Sequence, residues 1–277
     1  MTASANRTPW IVLLPALLLT TMFFLLPLAN MVRLSLITPD GLGLGNYFAF
    51  FEQAHQADAL WRSLFLAVMA TGISAVLAWP LAFFVAFCVA ERRRYLMLLV
   101  LLAPFWTSFT IRAFSWQLVL SDNGVLAWML SGLWGAPVSL GFLYTMAASV
   151  FGLTLFGTML TTLTLFGALV SIDRRLIEAS ASLGAGPWAM FRDVIFPLAR
   201  QGWLVGATLT FIICVGDYAV PTLLGGGLKP VLAQIMLSTV KGTYDLPTAA
   251  TMAVILSGVV LITLLPLFLA SRRRGMA

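Results

Sequence analysis

The sequence predicts an all-α membrane protein that crosses the bilayer several times. Three observations predict this class: 61% of the residues are hydrophobic, only 9% are charged, and the mean hydropathy is +0.99. Soluble domains carry charges on about 25% of their residues, so this chain has too few polar groups to cover a globular surface. The chain is therefore expected to lie in a lipid bilayer.

Six apolar runs are long enough to cross the hydrocarbon core as helices, which takes about 20 residues. They lie at residues 10–32, 64–89, 96–114, 142–170, 202–224 and 249–270. The runs lack period-two alternation and are too long for membrane strands, which favours six transmembrane helices over a barrel. The prolines inside these runs are expected to kink the helices rather than break them, because neighbouring helices can satisfy the freed carbonyl groups.

The predicted organisation follows from these runs. Residues 1–63 form an anchor helix and an outer loop, residues 64–270 form a core of five transmembrane helices with a polar loop at 171–197, and residues 271–277 form a basic tail. A secretory signal is the alternative for the first run. We interpret the run as a retained anchor, because it exceeds the usual length of about 7 to 15 apolar residues and no A-x-A-like cleavage site follows it.

The basic residues are distributed unevenly between the two sides of the predicted helices. If the N-terminus is cytoplasmic, eleven of the 16 Lys and Arg residues fall on the cytoplasmic side, namely Arg7, Arg92, Arg93, Arg94, Arg174, Arg175, Arg192, Arg200, Arg272, Arg273 and Arg274. The positive-inside rule therefore predicts that both termini are cytoplasmic. The net charge of +6 indicates topology and attraction to anionic lipid headgroups, and not nucleic-acid binding.

Signatures of catalysis and of nucleotide binding are missing from the sequence. His55 is the single histidine, and there is no H-E-x-x-H motif, no carboxylate cluster at metal-ligand spacing and no Walker-type G-x-x-x-x-G-K-[ST] motif. We therefore expect no catalytic residue, no metal and no cofactor. An intramembrane enzyme would need clustered catalytic residues, and an ion-driven secondary transporter would need inverted repeats with intramembrane charges. Neither pattern is convincing here.

A polar segment at residues 173–197 interrupts two of the long apolar runs. Asp173 is a good helix N-cap, and Gly184 stands where a helix ends in a left-handed residue. Pro187 suits the first position of a second helix, which is expected to end near Pro197. Apolar residues at helical spacing line this second helix, namely Trp188, Phe191 and Ile195.

This segment has two physical interpretations. The first is a compact pair of short helices that fits a groove in another protein. The second is an amphipathic loop on the lipid surface, in which Glu178 pairs with Arg174 one turn earlier for a few tenths of a kcal/mol. The residues alone favour the first interpretation only slightly.

The same segment resembles the EAA signature of ABC importer permeases, written E-A-A-x3-G-x9-I-x-L-P. The matching residues are Glu178, Ala179, Ser180, Gly184, Val194, Phe196 and Pro197. The spacing agrees at every position, while Ser180, Val194 and Phe196 replace the Ala, Ile and Leu of the signature. Two further stretches, at residues 104–112 and 216–226, are similar to the spermidine/putrescine-type branch of that family.

The resemblance implies a type I ABC importer permease, one membrane half of a larger assembly in the bacterial inner membrane. Its implied partners are an ATP-binding subunit dimer, a second permease subunit that is a paralogue, an extracytoplasmic substrate-binding protein and membrane lipid. The resemblance implies an ATPase-coupling role for Glu178, Ala179, Ser180, Gly184, Pro187 and Pro197. Polyamines are the favoured substrate, and opines, phosphonates or other small organic ions stay open.

Asp217 is the main candidate for the transport path. An acid at the bilayer centre costs on the order of 2.5 to 3.5 kcal/mol, so it usually faces a cavity or a partner. Asp217 either contacts a polyamine together with aromatic rings, or pairs with Arg112 and holds a gate shut. The complete candidate set for the path or gate is Asp217, Tyr218, Trp106, Arg112 and Trp116.

Small residues in the long runs predict close helix contacts. Gly202 and Gly206 have the G-x-x-x-G spacing that lets two backbones approach. Gly152, Thr154 and Gly157 are expected to act in the same way.

Overall fold

The computed structural model describes residues 8–39, 41–134, 139–227 and 229–272. The predicted basic tail beyond residue 272 and the predicted cytoplasmic Arg7 lie outside these residues. The described residues form α1 Thr8–Thr20, α2 Leu26–Ser35, β1 Ile37–Thr38, β2 Gly41–Leu42, α3 Gly45–Glu52, α4 Ala54–Phe83, α5 Glu91–Leu102, α6 Phe109–Leu120, α7 Val125–Trp134, α8 Met146–Val170, α9 Arg174–Ser182, α10 Pro187–Met190, α11 Phe196–Gly216, α12 Ala219–Leu223, α13 Leu232–Ser238 and α14 Leu246–Arg272.

Within the described part of the chain, five continuous helices are long and apolar enough to span a membrane. Their spans are Leu13–Ser35, Ala54–Cys88, Met146–Val170, Pro187–Gly216 and Leu246–Leu265. The first and the fourth each consist of two α-helical parts joined by a π-helical turn, and the second ends in such a turn. A sixth span is present if the broken pair Glu91–Trp106 and Phe109–Trp134 is counted as one. The predicted all-α membrane fold is therefore confirmed.

The third predicted run, at residues 96–114, is not the continuous helix that we expected. Its two parts are bent by 87°. Pro104 lies in a 3-10 turn, and Thr107 then adopts an extended backbone with ψ of 148°. The hydroxyl of Thr107 donates to the Pro104 carbonyl at 2.7 Å, and Arg112 donates to the Thr107 carbonyl at 3.3 Å. These bonds satisfy carbonyl groups that the break frees, so the expectation of a mere kink at Pro104 was wrong.

The fifth predicted run, at residues 202–224, differs at both ends. The helix that was expected to end near Pro197 instead continues through a π-helical turn, Phe191–Ile195, and runs without interruption to Gly216. In that turn the N–H of Phe196 bonds to the carbonyl of Phe191, so the backbone absorbs a proline without ending the helix. The helix ends before Asp217, and Pro221 lies in the first turn of the separate helix α12, where a missing N–H costs little.

The described residues divide into two compact units, one formed by residues up to Asp58 and from Ile235 onward, the other by Ala59–Gln234. In the first unit, α2 and α3 pack against α14. The hydroxyl of Thr251 on α14 donates to the Ser35 carbonyl at 3.3 Å, and Asn46 donates to the same carbonyl at 3.1 Å. The domain boundaries predicted at residues 63 and 270 stay a prediction.

The second unit is organised around the packing of α8 against α11. The hydroxyls of Thr161 and Thr210 lie 3.1 Å apart across this contact and are buried. Gly157, Gly202 and Gly206 all lie where an added methyl group would contact the opposite helix, which confirms the predicted close packing of these glycines. Helix α4 joins the contact, because Ser74 donates to the Thr154 carbonyl at 3.0 Å.

Candidate functional site

The first helix of the polar segment is capped at both ends as predicted. The carboxylate of Asp173 accepts a 2.9 Å hydrogen bond from the N–H of Arg175, which satisfies a donor that the start of α9 leaves free. At the other end Gly184 has φ of +81°, a left-handed conformation that side chains with a Cβ rarely adopt. The chain therefore turns sharply between α9 and α10.

The outer surface of this turn is exposed and partly apolar. Leu183 is 89% exposed and Trp188 is 72% exposed, on either side of Gly184. Glu178 and Ala179 are also exposed. We call the surface formed by Glu178, Ala179, Leu183, Gly184 and Trp188 the turn surface. Large exposed apolar side chains are typical of a surface that contacts another protein or a membrane.

The ion pair between Glu178 and Arg174 that was part of the lipid-loop interpretation is not formed. Arg174 instead donates to Glu91 at the start of α5, with 3.3 Å between Nη2 and Oε1. This pair is exposed, so it contributes at most about 1 kcal/mol. The pair holds Arg174 against the start of α5. The carboxylate of Glu178 therefore has no ion-pair partner within the described part of the chain.

An aromatic cluster connects the turn surface to the long helices. The ring of Phe191, one turn after Trp188, lies 5.2 Å from the ring of Trp79 on α4. Trp79 also stacks on Phe196 at 5.5 Å and lies 6.3 Å from Trp203. Aromatic pairs at these distances contribute about 0.5–1.5 kcal/mol beyond the area they bury. A displacement of α10 is therefore resisted by α4 and α11 together.

The candidate path residue Arg112 lies in a pocket of three phenylalanine rings. Its guanidinium carbon is 5.9 Å from the centroids of Phe105 and Phe109 and 5.5 Å from that of Phe156. The same group donates to the Thr107 carbonyl at the break between α5 and α6. Arg112 thus stabilises the 87° bend by both a hydrogen bond and cation–π contacts.

Asp217 does not pair with Arg112 in this structure. Its carboxylate accepts hydrogen bonds from the N–H groups of Val220 at 2.9 Å and Ala219 at 3.3 Å. These are the first donors of α12, so the carboxylate of Asp217, one residue before the N-cap residue Tyr218, satisfies the start of that helix. The expectation of an Asp217–Arg112 gate pair is corrected, because each partner has found closer polar groups in its own segment.

The aromatic candidates for the path lie in different environments. Trp106 is 75% exposed and Tyr218 is also exposed, while Trp116 packs edge-to-face on Phe151 at 5.1 Å. Helix α6, which carries Arg112 and Trp116, packs against α12, which begins directly after Tyr218. The grouping of the five residues into one path or gate stays a prediction.

The sequence reasoning missed a cavity of about 300 Å³ in the second unit. Its polar lining includes Tyr144, Ser149 and Lys229, and its apolar lining includes Leu66 and Pro221. Tyr144 has φ of 63°, and its N–H bonds to the Leu224 carbonyl at 2.7 Å, so the backbone is held in a strained form at the cavity wall. The glycine run at residues 225–227, followed by Lys229, was the signal in the sequence that could have indicated this cavity.

The described residues hold no group of three or more His, Cys, Asp or Glu side chains arranged to bind a metal ion.

Comparison with known proteins identifies a family that this chain matches. The family described as "Binding-protein-dependent transport system inner membrane component" matches residues 41–275.

Individual relatives agree with this match. The chain is 34% identical to the "Inner membrane ABC transporter permease protein YdcU" of Escherichia coli over 68% of this chain, and it spans 63% of that protein's length, less than two thirds. It is 31% identical to the "Spermidine/putrescine transport system permease protein PotB" of Haemophilus influenzae, over 78% of this chain and 77% of that protein.

Solved structures share the fold. A "bacterial ABC transporter involved in the import of the acidic polysaccharide alginate" contains a chain with a TM-score of 0.81 and 18% identity, which covers 97% of this chain and 96% of that chain. The "MetNI methionine ABC transporter" contains one with a TM-score of 0.54 and 20% identity, covering 73% of this chain and 88% of that chain.

Proposed function

The chain belongs to the family of binding-protein-dependent transport system inner membrane components, and from this premise we propose that it forms one membrane half of an ATP-driven importer of polyamines. An ABC importer permease has no nucleotide site of its own. We propose that an ATP-binding subunit dimer, a paralogous second permease and an extracytoplasmic substrate-binding protein complete the assembly.

The observation that carries this proposal is the turn surface between two long membrane spans. The helix α9 follows α8, and α10 continues without interruption into α11, so a force on the turn acts directly on both helices of the central pair. The aromatic cluster around Trp79 extends the connection to α4. In this proposal the turn surface lies in the cytoplasm, contacts the ATP-binding subunit and transmits its closure to the spans.

The residues of the turn and of the helices beside it have different parts in the proposed transmission. Asp173 and Gly184 hold the shape of the turn, and Pro187 begins the helix that continues into the membrane. Glu178, Ala179 and the half-buried Ser180 offer the helix face for contact, while Pro197 lies in the first turn of α11 next to the π-helical turn. We propose that the partner subunit binds the exposed Leu183 and Trp188.

Polyamines are proposed as the substrate because named spermidine/putrescine permeases are 28% to 31% identical to this chain. The exposed rings of Trp106 and Tyr218 can offer cation–π contacts to an ammonium group in the path. Asp217 and Arg112 stabilise the backbone beside this proposed path, Asp217 at the break between α11 and α12 and Arg112 at the break between α5 and α6. Trp116 supports the wall through its contact with Phe151.

Site-specific crosslinking tests the docking role of the turn surface. In a background with the exposed Cys88 changed to serine, a cysteine at Leu183 should form a crosslink with the ATP-binding subunit in membranes. Leu133 on α7 is 79% exposed and serves as the matched control, with no crosslink to that subunit expected. Crosslinks from both positions, or from neither, would contradict the docking role.

Uptake measurements test the substrate. A strain that lacks the gene should lose energy-dependent uptake of labelled spermidine or putrescine, and the restored gene should return it. Excess unlabelled polyamine should compete with that uptake, while an opine or a phosphonate should not. Competition by an opine or a phosphonate alone would reject polyamines and leave the importer function intact.

A further inference from the structure

The cavity of about 300 Å³ in the second unit has a buried floor and an exposed rim. Leu66, Ser149 and Val231 in its lining are buried. Tyr144 is 51% exposed and Lys229 is also exposed, so the cavity opens to the surface beside these two residues. Sites for small molecules in proteins have volumes of about 300–1,000 Å³. The cavity is therefore large enough for one small organic molecule, which can enter from the rim.

The backbone around the cavity is fixed in an unusual conformation. Tyr144 has φ of 63°, and its N–H donates to the Leu224 carbonyl at 2.7 Å. Gly226 has φ of +71°, and a Cβ added there would lie 2.7 Å from the Cβ of Tyr144. A Cβ added at Gly225 would contact the hydroxyl of Ser149. Such strained segments persist only where the surrounding structure fixes them, and they are common at ligand sites, so the lining is already arranged before a ligand binds.

Three polar groups of the lining can donate to a ligand. The ammonium group of Lys229 has no ion-pair partner within the described part of the chain. The hydroxyl of Ser149 makes no hydrogen bond to the described residues, and it borders the cavity instead of being sealed from solvent. The hydroxyl of Tyr144 accepts a 3.3 Å hydrogen bond from Gln117, which leaves its own hydrogen free to donate.

These groups favour an anion over a cation. Among the described residues that line the cavity there is no Asp or Glu, so the charge of Lys229 is not offset there and repels a polyamine. One positive charge balances one negative charge, and the two oxygens of a carboxylate can accept from an ammonium group and a hydroxyl together. Leu66, Pro221 and Val231 provide an apolar surface for the carbon skeleton of the ligand.

We propose that this cavity binds a small organic carboxylate, with its charge at Lys229 and its apolar part against Leu66, Pro221 and Val231. The ligand contacts α4 through Leu66, α8 through Ser149 and α12 through Pro221. Its binding therefore holds three helices of the second unit together. The site is separate from the turn surface and is distinct in charge preference from the proposed polyamine path.

Acylation of lysine in the purified full chain tests this proposal. The sequence contains two lysines, Lys229 and Lys241, and both are exposed, so Lys241 is an internal control. Benzoate is the probe, because it joins a carboxylate to an apolar ring. It should slow the acylation of Lys229 in a saturable manner and leave the rate at Lys241 unchanged. Mass spectrometry of peptides measures the two rates separately.

Two further probes separate the charge from the apolar part. Benzyltrimethylammonium has the same ring with a positive charge and should not protect Lys229. Acetate has the carboxylate without the ring and should protect only at a much higher concentration than benzoate. Protection by the cation, or equal protection by acetate and benzoate, would overturn the proposal. Slowing of both lysines to the same extent by benzoate would overturn it as well.

Thermal unfolding of variants gives an independent measurement. Benzoate should raise the unfolding midpoint of the wild type, and Lys229→Gln should need about ten times more benzoate for the same rise, because it loses a hydrogen bond to a charged group. Lys241→Gln is the matched control and should respond like the wild type. Equal responses of the wild type and Lys229→Gln would overturn the proposal. Neither measurement depends on polyamine uptake, so failure here leaves the proposed importer function unaffected.

Discussion

The indole Nε1 of Trp203 donates a 2.9 Å hydrogen bond to the backbone carbonyl of Ala75. This bond joins α11 to α4. The Trp203 ring also lies 6.0 Å from Phe196, near the start of α11. Because α11 continues from the turn surface, the bond between Trp203 and Ala75 sets the position of α4 relative to the segment that we propose to bind the ATP-binding subunit.

Trp203→Phe should lower the stability of the purified chain by about 0.5–1.5 kcal/mol, because it removes the indole donor while keeping an aromatic ring. Thermal unfolding in detergent measures the change. Trp188→Phe is the control, since Trp188 is exposed and its ring stacks on Phe191 at 5.7 Å without an indole hydrogen bond in the described structure. Equal losses in the two variants would show that the bond to Ala75 does not stabilise the protein.

Gly184→Ala and Gly184→Glu should both reduce uptake while ATP hydrolysis by the assembled transporter continues. A residue with a Cβ at φ of +81° is strained by about 1–2 kcal/mol, which changes the shape of the turn. Apart from its two chain neighbours, no atom of the described residues lies within 4 Å of the added Cβ, so an internal clash does not explain the effect. The glutamate adds a charge at the proposed contact and should be the more severe change.

Gly167→Ala on α8 is the matched control for these variants. Its Cβ would also meet nothing within 4 Å, but its backbone is helical. It should leave uptake unchanged and stabilise the helix by about 0.5–1 kcal/mol. If uptake by Gly184→Glu equals that of this control, the coupling role of the turn is rejected.

Gly206→Ala should destabilise the protein by about 1–3 kcal/mol, the usual cost of overpacking. The new Cβ would lie 2.8 Å from the Cα of Thr161, a backbone atom that cannot rotate away. Gly258→Ala on α14 is the control, because nothing lies within 4 Å of its Cβ. Thermal unfolding of both variants in the same detergent measures the difference. A midpoint of Gly206→Ala at or above that of Gly258→Ala would refute the close contact between α8 and α11.

Asp217→Asn should keep uptake and most of the stability, because the amide oxygen can still accept the shorter bond from the N–H of Val220, while the amide nitrogen cannot replace the acceptor of Ala219. Asp217→Ala should lose about 0.5–2 kcal/mol, since the first N–H groups of α12 lose their acceptor. Thermal unfolding and labelled polyamine uptake measure the two effects. Loss of uptake in Asp217→Asn with unchanged stability would instead assign the negative charge to the transport path.

The parts of the fold that local chemistry controls were predicted well. Asp173, Gly184 and Pro187 each occupy the helix-end position that their side chains favour, because caps and turns depend on a few neighbouring backbone groups. The spans were predicted because burial in lipid requires long apolar runs. The glycine contacts of α8 and α11 followed from residue size, since only small residues let two helices approach closely.

The breaks in the third and fifth runs were not predicted, because hydropathy does not distinguish a straight span from a bent one. At the first break, the side chain of Arg112 donates to the free carbonyl of Thr107. At the second break, the carboxylate of Asp217 accepts from the free N–H of Val220. The continuation of the second short helix past Pro197 was missed for a related reason. A π-helical turn can absorb a proline, and no residue pattern in the segment indicated that turn.

Composition and the order of residues along the chain were enough to establish a membrane protein of six apolar runs with a capped helical turn between the fourth and the fifth. These features depend on solvation and on contacts within a few residues. The partners of Arg112, Arg174 and Trp203 became known from the folded structure alone. These partners depend on which distant segments of the chain meet. A long arginine or tryptophan side chain can reach several acceptors at similar free energy, and packing then leaves one of them within hydrogen-bonding distance.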